Sequence, residues 1–145
     1  MKPEKVLFLC SGNACRSPMA EALFKDMIEK TGAADGIEIR SAGTSIYFDS
    51  ATSEAVEAMR QEGLDITSHR STQISKELVD WADLIVAMEQ KHKERIIKWF
   101  NVDDKKIEVF DIDDPYGYPL EEYHRCVEEL KDKLEELVKR KYENA

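Results

Sequence analysis

Apolar residues recur along the chain in two alternating rhythms. Short continuous or every-second-residue runs are separated by stretches in which apolar residues return every three or four positions. Residues 5–10 hold the unbroken run Val6-Leu7-Phe8-Leu9 and read as a buried parallel strand. Met19, Ala20, Leu23, Phe24, Met27 and Ile28 then share a helical face, with Ser17 the expected N-cap, Pro18 the first helical residue and Thr31-Gly32 the stop. Residues 36–41 form a second short strand, Ile37 and Ile39 alternating with Glu38 and Arg40. Residues 52–62 predict a helix that turns Ala55, Val56 and Met59 inward and ends at Gly63; 64–74 is irregular. Ser75 caps a short helix through Trp81, 83–88 is a third strand, and 89–100 a helix with His92, Ile96 and Phe100 on one face. A fourth strand covers 106–111, and 120–141 is a long helix with Tyr123, Val127, Leu130, Leu134 and Leu137 as its apolar stripe.

Strands alternating with helices predict a single α/β domain over 1–145, a three-layer sandwich with a four-stranded parallel sheet and helices on both faces. Ligands of such sheets bind beyond the carboxyl ends of the strands. The loops after the first, second and fourth strands carry Cys10, Tyr47 and Asp114, so these three are expected on one rim.

Charge narrows the partners. A net charge of −9 disfavours a nucleic-acid backbone. No apolar run approaches the ~18 residues that span a membrane, and the first residues do not read as a signal peptide. Three cysteines, an odd number, suit a reducing cytoplasm, and His69, His92 and His124 lack metal-ligand spacing. A cytoplasmic monomer without metal or other cofactor is expected.

The chemistry concentrates in Cys10-Ser11-Gly12-Asn13-Ala14-Cys15-Arg16-Ser17-Pro18, between the first strand and the first helix. Loop amides and a helix N-terminus aimed at one point make an anion cradle, and a thiol beside them is an activated nucleophile. Arg16 can hold two phosphate oxygens at once. Ser11, Gly12, Asn13, Ala14, Cys15, Arg16 and Ser17 are therefore the expected phosphate-binding residues. A cysteine ending a strand is often mere packing, but Gly12 and Asn13, which permit positive φ, and Arg16 six residues on favour chemistry. No Gly-Lys-Ser/Thr follows, which excludes a Walker-type loop. Attack by Cys10 on phosphorus requires a proton donor for the leaving oxygen. Asp114 can serve, although Asp111, Asp113 and Asp114 before Pro115 also read as a turn-forming cluster.

The Cys-x5-Arg-Ser-Pro stretch resembles the signature of the low-molecular-weight protein tyrosine phosphatases, and Asp114-Pro115-Tyr116 resembles their general-acid loop. Ser41-Ala42-Gly43-Thr44-Ser45 looks like the family's second-strand loop. Gly63-Leu64-Asp65 through His69-Arg70 is similar to the segment whose histidine supports the phosphate loop. The resemblance implies Cys10, Arg16 and Asp114 as catalytic residues, and Asn13, Ser17, Ser41 and His69 as a hydrogen-bonded support. It also implies Tyr47 and Tyr116 as walls for the substrate ring. On the residues alone His69 reads rather as a core or capping histidine. Cys15 is either a reversible disulfide partner of Cys10 or a small buried side chain; Cys126 reads as packing.

The implied activity is hydrolysis of phosphotyrosine in phosphorylated proteins through a cysteinyl-phosphate, with inorganic phosphate as product or inhibitor. Protein arginine phosphatase is the alternative: Ala14 matches neither the bulky aliphatic residue of the tyrosine branch nor the threonine of the arginine branch. The 41–52 spacing and Met88-Glu89-Gln90-Lys91-His92-Lys93 look like the arginine branch, while Tyr47 favours an aryl group. An arsenate reductase would need further cysteines between Arg16 and Asp111, and there are none; a phosphocysteine carrier would lack the loop arginine and the Asp-Pro acid.

Overall fold

The structure is a computed structural model that describes residues 2–143. Four parallel strands form one sheet: β1 (Lys5–Cys10), β2 (Glu38–Gly43), β3 (Leu84–Ala87) and β4 (Ile107–Val109), in the order β2-β1-β3-β4. The most apolar strand, β1, lies inside the sheet, where both of its faces are covered. Val6 stands opposite Ile39 on one side and Leu84 on the other. Side chains that alternate along β1 and β3 feed two separate cores. Val6, Phe8, Leu84 and Val86 pack under α1 (Arg16–Thr31), α2 (Ser53–Gln61) and α5 (Leu120–Lys141). Leu7, Leu9, Ile85 and Ala87 pack under α3 (Lys76–Trp81) and α4 (Gln90–Phe100). The predicted three-layer architecture is thus the one observed. Among the described residues no helix is long and apolar enough to cross a membrane.

The start of α1 differs from expectation. Its N-cap is Cys15, which makes no side-chain cap bond, and Arg16 is already helical. Ser17 is not the cap because its hydroxyl is taken by Cys10 and Asn13; tertiary partners outcompete the local backbone for it. The fourth strand is also shorter than predicted. Lys106 closes a 3-10 turn, and Asp111 takes a left-handed φ of 59° that ends the extended run. Thr52 and Ser75 cap α2 and α3, accepting from the amides of Ala55 and Leu78. Gly32, with φ 76°, stops α1.

At its carboxyl end β2 presses against the loop after β1. Ser45 N–H donates to Ser11 O at 2.8 Å and Thr44 N–H to Cys10 O at 3.0 Å. A Cβ at Gly43 would stand 2.5 Å from Ser11 O and 2.9 Å from Asn13 N, so only glycine permits this approach.

Candidate active site

The loop 10–16 folds back over the sheet edge because Asn13 accepts a left-handed φ of 51°. The fully buried Asn13 side chain then pins it from behind. Its Nδ2 donates to Ser17 Oγ at 2.8 Å and to Ser41 Oγ at 2.9 Å, while Oδ1 accepts from Thr72 N–H at 2.8 Å. The Asn13 carbonyl accepts from His69 Nε2 at 2.7 Å and Ser71 Oγ at 2.9 Å. Ser41 Oγ in turn donates to Glu21 Oε1 at 2.7 Å. Ser17 Oγ lies 2.9 Å from Cys10 Sγ, where it can stabilise a thiolate. Asn13, Ser17, Ser41 and His69 therefore meet as one network, with His69 bonded to the loop rather than packed as a core residue. Thr72, Ser71 and Glu21 join it without having been singled out in the sequence.

In front of the loop, Cys10, Ser11, Gly12, Ala14, Cys15 and Arg16 line one pocket together with Asp114. Asn13 and Ser17 do not line it, since their side chains turn away; only their backbone amides remain for an anion. Tyr47 and Tyr116 form the outer wall with Phe48, whose ring centroid is 5.7 Å from that of Tyr116. Phe48 directly follows Tyr47 but is not among the wall residues expected from the sequence. Asp114 is held by its own loop: Oδ1 accepts from Tyr116 N–H at 3.1 Å, while Oδ2 lies 3.6 Å from Arg16 Nη2.

Arg16 is almost wholly buried, and its Nη1 is fully occupied, donating to Glu89 Oε2 at 2.5 Å and Ile112 O at 2.6 Å. Nε has no hydrogen-bond partner among the described residues, and Nη2 makes only the long contact with Asp114. The two free positions are the pair that can grip two oxygens of one anion. Burial works against the guanidinium charge, but Cys10, Glu89 and Asp114 outweigh it and raise the Arg16 pKa. Burial pushes the Glu89 carboxyl up; the Arg16 hydrogen bond and charge overcome this and hold it below the usual carboxylate value.

Two residues near the loop were not expected here. Glu89 is the N-cap of α4, and the fully buried His92 accepts the Glu89 N–H on Nδ1 at 3.1 Å and places Nε2 2.9 Å from Ser11 Oγ. The rule that puts ligands beyond the carboxyl ends of strands applies equally to the loop after β3, and that was the available signal.

Cys15 lines the pocket, and its thiol is bonded to the helices behind it. Its Sγ lies 3.2 Å from Tyr123 Oη and 3.6 Å from Thr52 Oγ1. Burial drives its thiol up to about 11, the bonds to Tyr123 and Thr52 pulling the other way, and burial drives Cys126 up to about 12. All three cysteines are free thiols in this structure. Among the described residues no group of three or more His, Cys, Asp or Glu side chains is arranged to hold a metal ion.

The family described as low molecular weight phosphotyrosine protein phosphatase matches residues 5–144. A protein-arginine-phosphatase of Geobacillus stearothermophilus is 34% identical over 95% of this chain and 96% of its own length. Low molecular weight protein-tyrosine phosphatase A of Mycobacterium tuberculosis is 32% identical over 79% of this chain and 77% of its own. The crystal structure of a low molecular weight protein tyrosine phosphatase from T. tengcongensis superposes with a TM-score of 0.88 at 37% identity, covering 94% of this chain and 98% of that one.

Proposed function

Since this chain belongs to the low molecular weight phosphotyrosine protein phosphatase family, we propose that it hydrolyses phosphotyrosine in proteins, with Cys10 as nucleophile. The Cys10 thiolate attacks phosphorus as the bond to the phenolic oxygen breaks, giving a cysteinyl-phosphate. Asp114, as the carboxylic acid, gives its proton to the departing oxygen. Water then attacks phosphorus, its proton passes to the Asp114 carboxylate, and inorganic phosphate and the thiolate are released. Charge on the equatorial oxygens falls on Arg16 Nε and Nη2 and on the loop amides. Ser17 Oγ, 2.9 Å from Cys10 Sγ, steadies the thiolate in both half-reactions. A reducing compartment such as the cytoplasm suits the free thiols.

The observation that carries this reading is the convergence of Cys10, the half-free Arg16 fork and Asp114 on one pocket walled by Tyr47, Phe48 and Tyr116. Three aromatic rings at the mouth suit an aryl leaving group. Phosphoarginine is the second reading, favoured by the 34% identity to an arginine phosphatase over 95% of this chain and by the small Ala14 in the pocket. Phosphate release from matched phosphotyrosine and phosphoarginine peptides, with Cys10→Ser as control, separates the two. Faster release from phosphotyrosine supports the first reading and faster release from phosphoarginine the second. Release that persists in Cys10→Ser overturns both.

A further inference from the structure

Glu89 and His92, at the start of α4, reach both ends of the phosphate loop at once: Glu89 takes Arg16 Nη1, and His92 Nε2 lies 2.9 Å from Ser11 Oγ. The direction of the second bond follows from the first turn of α4. A backbone N–H can only donate, so His92 Nδ1, 3.1 Å from Glu89 N, is an acceptor and carries no proton. The ring proton is therefore on Nε2, which donates to Ser11 Oγ. The surroundings keep the ring neutral: burial first, then Arg16, Lys91 and Arg95, depress its pKa to about 4 against the opposing pull of Glu89.

Ser11 Oγ, having accepted from His92, still has its own hydrogen to give. No acceptor for that hydrogen is found among the described residues, and Ser11 is half-buried in the wall of the same pocket as Cys10 and Arg16. The acceptors that share the pocket do not take it, the Asp114 carboxylate being held by Tyr116 N–H and Arg16, whereas a phosphoryl group drawn to Cys10 offers three oxygens. We propose that the Ser11 side chain is a substrate-contacting donor to a phosphoryl oxygen, and that His92 is the positioning residue that aims it. This adds a side-chain contact to the backbone amide contact expected of Ser11, and it rests on the phosphatase reading above.

The test uses the full chain as Ser11→Ala, His92→Leu, His92→Gln and the double variant Ser11→Ala/His92→Leu, assayed on an aryl phosphate and titrated with inorganic phosphate by calorimetry. Ser11→Ala and His92→Leu are each expected to lose about tenfold in kcat/KM and a similar factor in phosphate affinity. The double variant should be no worse than Ser11→Ala, because His92 acts through Ser11. His92→Gln should keep most activity, since a glutamine at this position can accept the Glu89 N–H on its oxygen and donate to Ser11 through its nitrogen. Wild-type kcat/KM and phosphate affinity in Ser11→Ala overturn the proposal, as does a double variant whose loss is the product of the two single losses. If His92→Leu does not fold, the other two single variants decide, with Ser11→Ala impaired and His92→Gln near wild type supporting the contact and Ser11→Ala at wild-type level refuting it. A wild-type chain that binds phosphate through Ser11 yet releases none from any ester would overturn the phosphatase reading and leave the Ser11 contact standing.

Discussion

Gly43→Ala adds a single methyl group at the point where β2 meets the phosphate loop. The new Cβ would lie 2.5 Å from Ser11 O, 2.9 Å from Asn13 N and 2.8 Å from Ile46 Cδ1, where ordinary contact begins at 3.4 Å. Ile46 can swing aside. The two backbone atoms cannot, because Ser11 O is bonded to Ser45 N–H at 2.8 Å and Asn13 is held by its buried network. The loop must therefore retreat by about 0.9 Å at Ser11, close to the nucleophile. Misplacement on the order of 1 Å costs roughly a hundredfold in rate, and overpacking of this kind costs about 1–3 kcal/mol. For a chain of this length that lowers Tm by roughly 3–12 °C. Gly43 is not among the glycines with positive φ, so crowding alone is responsible. Gly12→Ala provides the contrast in stability: its Cβ would meet nothing within 4 Å, and Tm should hold or rise slightly. Steady-state kinetics on an aryl phosphate and calorimetric melting measure both effects. Wild-type kcat/KM and Tm in Gly43→Ala would show that this close approach does not set the loop.

Three further outcomes can be checked independently. Asp114→Ala should slow hydrolysis of a phenyl ester by about 10²–10³-fold but a nitrophenyl ester by less than tenfold, since only the poor leaving group needs the proton; equal losses would remove Asp114 from that role. His92 binds a proton below about 4 when folded and near 6.5 when unfolded, so the unfolded chain gains the proton first and acidification from pH 6.5 to 4 should cost about 3 kcal/mol. Glu89 adds to the loss below its ordinary pKa of 4.5, as its carboxylate protonates and releases Arg16; urea titrations across this range should find a shallower slope in His92→Gln. Iodoacetamide at pH 7 should label Cys10 and spare Cys15 and Cys126, whose thiols burial holds at about 11 and 12; peptide mapping with Cys15 labelled as fast as Cys10 would contradict this.

What the sequence disclosed and what it hid divide along one physical line. The cradle was legible because a loop that closes on an anion must be built from consecutive residues, so Cys10, Asn13 and Arg16 stand at fixed spacing. Asp114 and Tyr47 were legible because parallel strands deliver their following loops to one edge. The Ser17 cap failed because a local preference for the backbone lost to Cys10 and Asn13, which no window around residue 17 reveals. Glu89 and His92 were hidden inside a pattern that reads fully as a helix start with an apolar face. Their bonds to Arg16 and Ser11 span 73 and 81 residues, and nothing local announces them. Tyr123 belongs to the apolar stripe of α5, and its hydroxyl reaches Cys15 only because α5 lies over α1, which the stripe alone does not show.

That last contact has a consequence for how the protein comes into being. Cys15 and Tyr123 are 108 residues apart, and other groups that fix the loop, among them His69 and Ile112, also lie downstream of it. At ordinary translation speeds roughly 5–20 s pass between synthesis of the nucleophile's loop and of the tyrosine that covers its back. For that interval the nascent chain carries the full phosphate-binding signature with only part of its supports, Ser17, Ser41 and His69 being made before Tyr123. Its thiols are open to oxidants, and Cys15 is covered only when the last helix closes over the first.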